Sequence, residues 1–186
     1  MSTKNILKFT DETNAIDYLN RAYSFISETK VDTTAWKWVV IAVHGALYGF
    51  AVSASKNTDK STSTNKRGYV ITLDKALKQC QNPKHMAMLT SSKHIELTDS
   101  QKESIRILKK VLRNSFEHFS PKLWVIELDG IANICVDVLN VIRFLALETN
   151  TYITLSLEQK NHIDQTIDEC IDMLKKSELY QSHNAI

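Results

Sequence analysis

The sequence predicts an all-α protein, and three observations carry that expectation. Only four Gly and two Pro punctuate 186 residues, about a third of ordinary glycine usage, which disfavours the many tight turns of a β fold. Apolar residues recur at three- and four-residue steps over several long stretches, the period of one helix face. Thr, Ser or Asp stands just ahead of these stretches, where a side-chain oxygen can satisfy the first free amides. The length suits one buried core better than two. A single domain over residues 1–186 is therefore expected: a bundle of four to five helices with short extra helices in the middle connection.

The first helix begins at Thr10, with acidic residues in its first turn, and ends near Lys30; Ile16, Leu19, Tyr23 and Ile26 form its stripe. Asp32, Thr33 and Thr34 are cap candidates for a second helix, Ala35 to about Ser55. This segment is apolar almost all round, which predicts a core position. Gly45, Ala46 and Gly49 lower its helix propensity, and a close approach of another helix is the expected reason for them.

Residues 56–67, KNTDKSTSTNKR, break every periodicity and read as a flexible, polar, basic loop. A short helix is expected over Tyr69–Gln79, and Asn82-Pro83 opens another through Leu89. Thr98 and Gln101 form a capping box for a long segment with the stripe Ile105, Leu108, Val111, Leu112, which Pro121 stops. Asp129 is a cap candidate for Ile131 to about Leu147, lined by Ile134, Val138, Val141, Ile142 and Leu145. Ser156 and Gln159 box the last helix, to about Ser177, with Ile163, Ile167, Ile171 and Leu174 inside. Residues 179–186 read as a frayed tail.

A net charge of +2, from 23 basic and 21 acidic residues, is no global field for coating nucleic acid, so an RNA partner must be held locally. Cys80, Cys135 and Cys170 have no metal-ligand spacing, and buried free thiols in a reducing cytosol are expected. Met1 to Lys8 lacks an apolar signal core. Trp38 to Ala54 stands at the lower limit of a membrane span and carries His44 near its middle; a buried central helix explains it better, and no membrane partner is expected. Walker, dinucleotide and zinc motifs are absent from the sequence, so neither a cofactor nor a metal is expected.

The chemistry concentrates in Leu112–Pro121, LRNSFEHFSP, where Arg113 is followed by Asn114 and, after four intervening residues, by His118. This resembles the motif of the HEPN domain family: an Arg, often then an Asn, with a His a few residues on, at the end of a long helix before a loop. The resemblance covers about Ile105 to Leu128 residue by residue, and the rest of the chain only as a bundle pattern. It implies a four-helix bundle, a homodimer, and a composite site where two motifs meet. Many such domains are metal-independent ribonucleases, often toxins or antiphage effectors, that leave a 2′,3′-cyclic phosphate. Carried over, Arg113 and His118 form the catalytic pair and Asn114 is the polar helper.

Residue chemistry agrees with that assignment. Cleavage through the 2′-hydroxyl needs a proton acceptor, a proton donor and positive charge on the crowded phosphorus. Histidine titrates near neutrality, and arginine offers a charged fork that matches phosphate oxygens. On an ideal helix Arg113 and His118 are rotated by about 140° and do not share a face, so convergence requires the helix to end before His118 or the partner subunit to supply one of the two. An alternative stays open: Arg113 and Glu117 stand at i, i+4 and can form an ordinary helix ion pair. Phe116 and Phe119 read as core anchors.

Around this segment His44, Tyr48, Lys110, Glu117 and Trp124 are candidates for RNA contact or for supporting the catalytic pair, with a satisfied core histidine as the other reading of His44. Trp36 and Trp38 are expected as core or dimer anchors, and His85, His94, His162 and His183 as surface residues. The functional expectation is a cytoplasmic, metal-independent endoribonuclease, the toxin of a toxin–antitoxin or phage-defence system with an antitoxin protein as possible partner. The alternative is a non-catalytic helical dimeric module that binds a protein, nucleotide or RNA.

Overall fold

A Thr–Thr capping box starts the first helix. The Thr10 hydroxyl accepts from the Thr13 amide at 3.1 Å, and the Thr10 amide donates to Thr13 Oγ1 at 2.8 Å, so α1 runs Asp11–Glu28. In the computed structural model residues 5–57, 61–89, 92–117, 123, 125–149 and 154–184 are described. Asp32 takes the amide and hydroxyl of Thr34 at 2.8 and 2.7 Å and sets up α2, Ala35–Ser55. Two short helices follow, α3 (Leu73–Cys80) and α4 (Pro83–Ala87), capped by Thr72 and Asn82. The Thr98–Gln101 box opens α5 (Asp99–Ile107), which passes through a π-helical turn (Leu108–Arg113) into α6 (Asn114–Glu117). Then come α7 (Ile131–Leu147), α8 (Leu157–Lys175, boxed by Ser156 and Gln159) and α9 (Glu178–His183). The fold is all-α, as the sequence predicts; among the described residues one isolated bridge, Thr64 with Val70, is the sole β pairing.

α2 forms the centre of the fold. Among the described residues it is the one helix long and apolar enough to cross a membrane, yet two-thirds of that apolar window is buried inside the protein. Val39, Val40, Val43, Leu47 and Phe50 are fully covered, each such side chain contributing about 1.5–3 kcal/mol of burial. α1 lies along one side of α2, while α3, α7 and the π turn pack around the rest. The close approach expected at the small residues is present. A Cβ on Gly49 would stand 2.7 Å from Ala15 Cβ and 3.2 Å from Ala15 Cα, and one on Gly45 would stand 2.4–2.7 Å from the Tyr18 ring.

Polar pins fix the outer helices. Arg143 of α7 reaches Asp164 at 3.2 Å and also pairs with Asp168, both on α8. Asp137 of α7 accepts from Ser100 at 2.5 Å and Ser104 at 2.8 Å on α5. At the other end of the core Lys56 Nζ meets Glu12 Oε1 at 2.5 Å and Asp11 Oδ2 at 3.2 Å, and Ser53 donates to Glu12 at 3.1 Å. Burial pushes the Glu12 carboxyl up, but hydrogen bonds from Lys56, its own amide and Thr10, with the Lys56 charge, outweigh it and hold the carboxyl down at about 2. Cys80, Cys135 and Cys170 are all buried and free; burial, aided by Cys170 beside Cys135 and by Glu169 beside Cys170, pushes the thiols of these three up to about 12.

Several expectations are corrected. Tyr23 is exposed, and the inner stripe of α1 is Ala15, Leu19, Ala22 and Ile26, because close packing on α2 selects the small side chains. Trp36 is core and Trp38 is 46% exposed, which leaves Trp38 the dimer-anchor half of the expectation and is no correction of it. Asp129 does not cap α7: Gly130 holds the cap position at φ 72° without a side-chain bond, and Asp129 meets His183 Nδ1 at 3.2 Å instead. The described part of the tail expected to fray forms α9, with Leu179 and Tyr180 against the core. His85 is buried, its Nε2 3.0 Å from Ser55 O. The polar loop is tied down in its described part, with Thr62 donating to Ser55 O at 2.8 Å and Ser63 buried.

Three substitutions test this packing. Gly49→Ala is expected to cost about 1–3 kcal/mol in urea unfolding, because its new methyl meets α1 backbone. Gly45→Ala is expected to cost less, since the half-exposed Tyr18 ring can swing away and alanine returns about 1 kcal/mol of helix propensity. Glu12→Gln is expected to lower stability by about 2–3 kcal/mol by leaving Lys56 poorly matched. Because the folded pKa of Glu12 is below its unfolded value of 4.5, its contribution is complete above that value and disappears as pH falls toward 2; acid unfolding of wild type against Glu12→Gln measures this.

Candidate functional site

The segment bearing Arg113 owes its placement to the π turn. Hydrogen bonds to the fifth residue back widen the helix over Leu108–Arg113, so one more residue is used to come round to the core. Ile105, Leu108 and Leu112 are buried and Phe116 packs against the core. Val111, expected in the stripe, is 45% exposed. The extra residue of the turn explains the correction: an unbroken α-helical period would have carried Val111 inward. The last inward residues hold this helix against α2, which bears His44 and Tyr48.

Arg113 is the hub of the local geometry. Its Nη2 lies 2.5 Å from Glu117 Oε2, with the two side chains 33% and 35% exposed. Its Nη1 donates to Asn114 Oδ1 at 3.2 Å. Its Nε is buried and has no hydrogen-bond partner among the described residues. The i, i+4 ion pair that the sequence left open is thus formed, and Asn114 orients the guanidinium edge beside it.

His44, on α2, is half-buried and lies within electrostatic reach of this group. Burial first, then the positive charges of Arg113 and Lys109, push its imidazole down to about 4, with Glu117 opposing. At neutral pH the His44 imidazole is therefore neutral. Its ring lies 6.5 Å from that of Tyr48. Burial pushes the Tyr48 hydroxyl up, and that hydroxyl donates to Ile71 O at 2.6 Å. Tyr48 is therefore a strap between α2 and the segment before α3, and its polar atom is already engaged. Lys110 is exposed on the π turn.

The structure brings Arg113, Asn114, Glu117 and His44 into one neighbourhood. His118 and Trp124 lie outside the described residues. Sequence reasoning missed the pairing of Lys109 with Asp74 at the first turn of α3. Its partners lie far apart in sequence and no local spacing announces it; the one available signal was a cation on the outer face of the motif helix. Chemically, the group presents a part-exposed guanidinium with an internal carboxylate at Nη2 and a neutral imidazole within electrostatic reach, an arrangement suited to holding an oxyanion.

The His44 ring is expected to titrate near pH 4 in NMR spectra and to move upward in Arg113→Ala, where one depressing charge is gone. The sign for stability follows. The unfolded imidazole takes a proton near 6.5 and the folded one resists it, so this group's contribution is complete above 6.5 and is lost as pH falls toward 4.

Comparison of the chain with family models, with characterised proteins and with solved structures gives no significant match to any of them.

Proposed function

We propose that this chain is a metal-independent endoribonuclease of HEPN type, which holds the scissile phosphate at Arg113 and uses His118 for proton transfer. The observation that carries the reading is Arg113 itself: a guanidinium held by Asn114, one-third exposed, beside a neutral His44, at the end of the long capped helix. Arg113 stabilises the charge that builds on phosphorus as the 2′-hydroxyl attacks. His118 takes the hydroxyl proton or returns one to the departing 5′-oxygen, and a second copy of the chain supplies the other histidine. The low proton affinity of His44 leaves the acid–base role to His118 and gives His44 the task of contacting substrate or bracing Arg113. A toxin or phage-defence setting, with an antitoxin partner, rests on analogy with the family.

A second reading, a non-catalytic dimeric interaction module, is favoured by one feature. Trp38 is exposed beside Phe25, ring centroids 6.1 Å apart, with Lys37 Nζ 4.8 Å over its ring, a surface of the kind protein partners use.

Purified protein incubated with end-labelled transfer RNA in EDTA distinguishes the two. Cleavage leaving a 2′,3′-cyclic phosphate is expected, slowed about 10²–10³-fold by Arg113→Ala and about 10²–10⁴-fold by His118→Ala. Uncut RNA with wild type, or equal cutting by all three proteins, would remove the ribonuclease reading.

A further inference from the structure

We infer that Glu117 is a gate on the Arg113 site: its carboxylate holds the guanidinium edge that a backbone phosphate takes when RNA binds. The inference rests on the ribonuclease reading and concerns the regulation of the same site.

Arg113 has five N–H donors on three nitrogens, and each nitrogen has a distinct surrounding. Nε is buried, Nη1 is occupied by Asn114, and Nη2 meets Glu117 at 2.5 Å. Nη2 is the nitrogen already matched with an oxyanion, and its present occupant carries the same kind of oxygen as a phosphate. Glu117 stands one helical turn from Arg113, so the pairing needs little extra ordering. Both side chains are about one-third exposed, where water screens such a pair and makes it weak. A weak internal carboxylate is displaceable by a strand that makes several contacts at once, yet it competes effectively with single small anions. A second cation of the motif helix, Lys109, is likewise matched by a carboxylate, that of Asp74, while Lys110 between them is exposed. Two of the three cations on this stretch, Lys109 and Arg113, are therefore covered from within until a polyanion arrives, and Lys110 stays open to it.

The test is binding of a fluorescent, uncleavable 2′-O-methyl single strand in EDTA, followed by anisotropy, with circular dichroism to establish equal folding. Glu117→Gln is expected to tighten binding about three- to ten-fold. Glu103→Gln, which removes the same charge elsewhere on the helix, is expected to change it by less than about two-fold. The gain is expected to vanish in Arg113→Ala/Glu117→Gln. A gain no larger than that of Glu103→Gln, or one that persists without Arg113, overturns the gate. If Arg113→Ala weakens binding while Glu117→Gln does not tighten it, the gate alone fails and the ribonuclease reading stands. If Arg113→Ala binds as wild type does, both fail.

Discussion

The close approach of α1 to α2 is the constraint on which the rest of the fold depends. A central helix as apolar as Ala35–Ser55 is stable in water only if neighbours cover it on most sides. Gly49 lets the Ala15 backbone come within contact, and Gly45 lets the Tyr18 ring lie flat on the helix surface. The glycines lower helix propensity, and the burial of Leu47, Phe50 and the valines compensates. The Glu12–Lys56–Ser53 cluster fixes the longitudinal register of the pair, because its members stand at the start of α1 and the end of α2.

With α1, α3 and α7 around it, α2 leaves one side to the motif helix. In the middle of the largely apolar α2 stand His44, within electrostatic reach of Arg113, and Tyr48, tied to Ile71. The π turn lets the motif helix set Leu108 and Leu112 into the core and still leave Arg113 within electrostatic reach of His44. A departure from ideal helix geometry at this point is what links core packing to the charged group, and π turns elsewhere often mark functional positions for the same reason.

Much of this was legible in the sequence because it is local. Helix starts at Thr10, Thr98 and Ser156 follow from side chains that cap amides three residues on. The span of α2 was readable from a long apolar run flanked by turn residues. What was not legible is tertiary. Nothing near Val111 announces a widened turn, and nothing near Asp129 shows that His183 will claim it in place of the α7 amides. The candidate site divides in the same way. Arg113, Asn114 and Glu117 are neighbours on one turn, and their mutual contacts follow from helix spacing. The approach of His44, the diversion of Tyr48 to Ile71 and the match of Lys109 with Asp74 depend on how helices distant in sequence come together.

The three buried cysteines have a consequence beyond packing. Their thiols are covered and held in the protonated form, and only the thiolate reacts with disulfide or alkylating reagents. Each becomes reactive when the segment around it opens. They sit on three different helices, α3, α7 and α8, so the order in which they are modified gives the order in which those parts of the core open. The native chain thus carries its own set of internal clocks, and a cysteine added at the surface for a spectroscopic probe would react long before any of them.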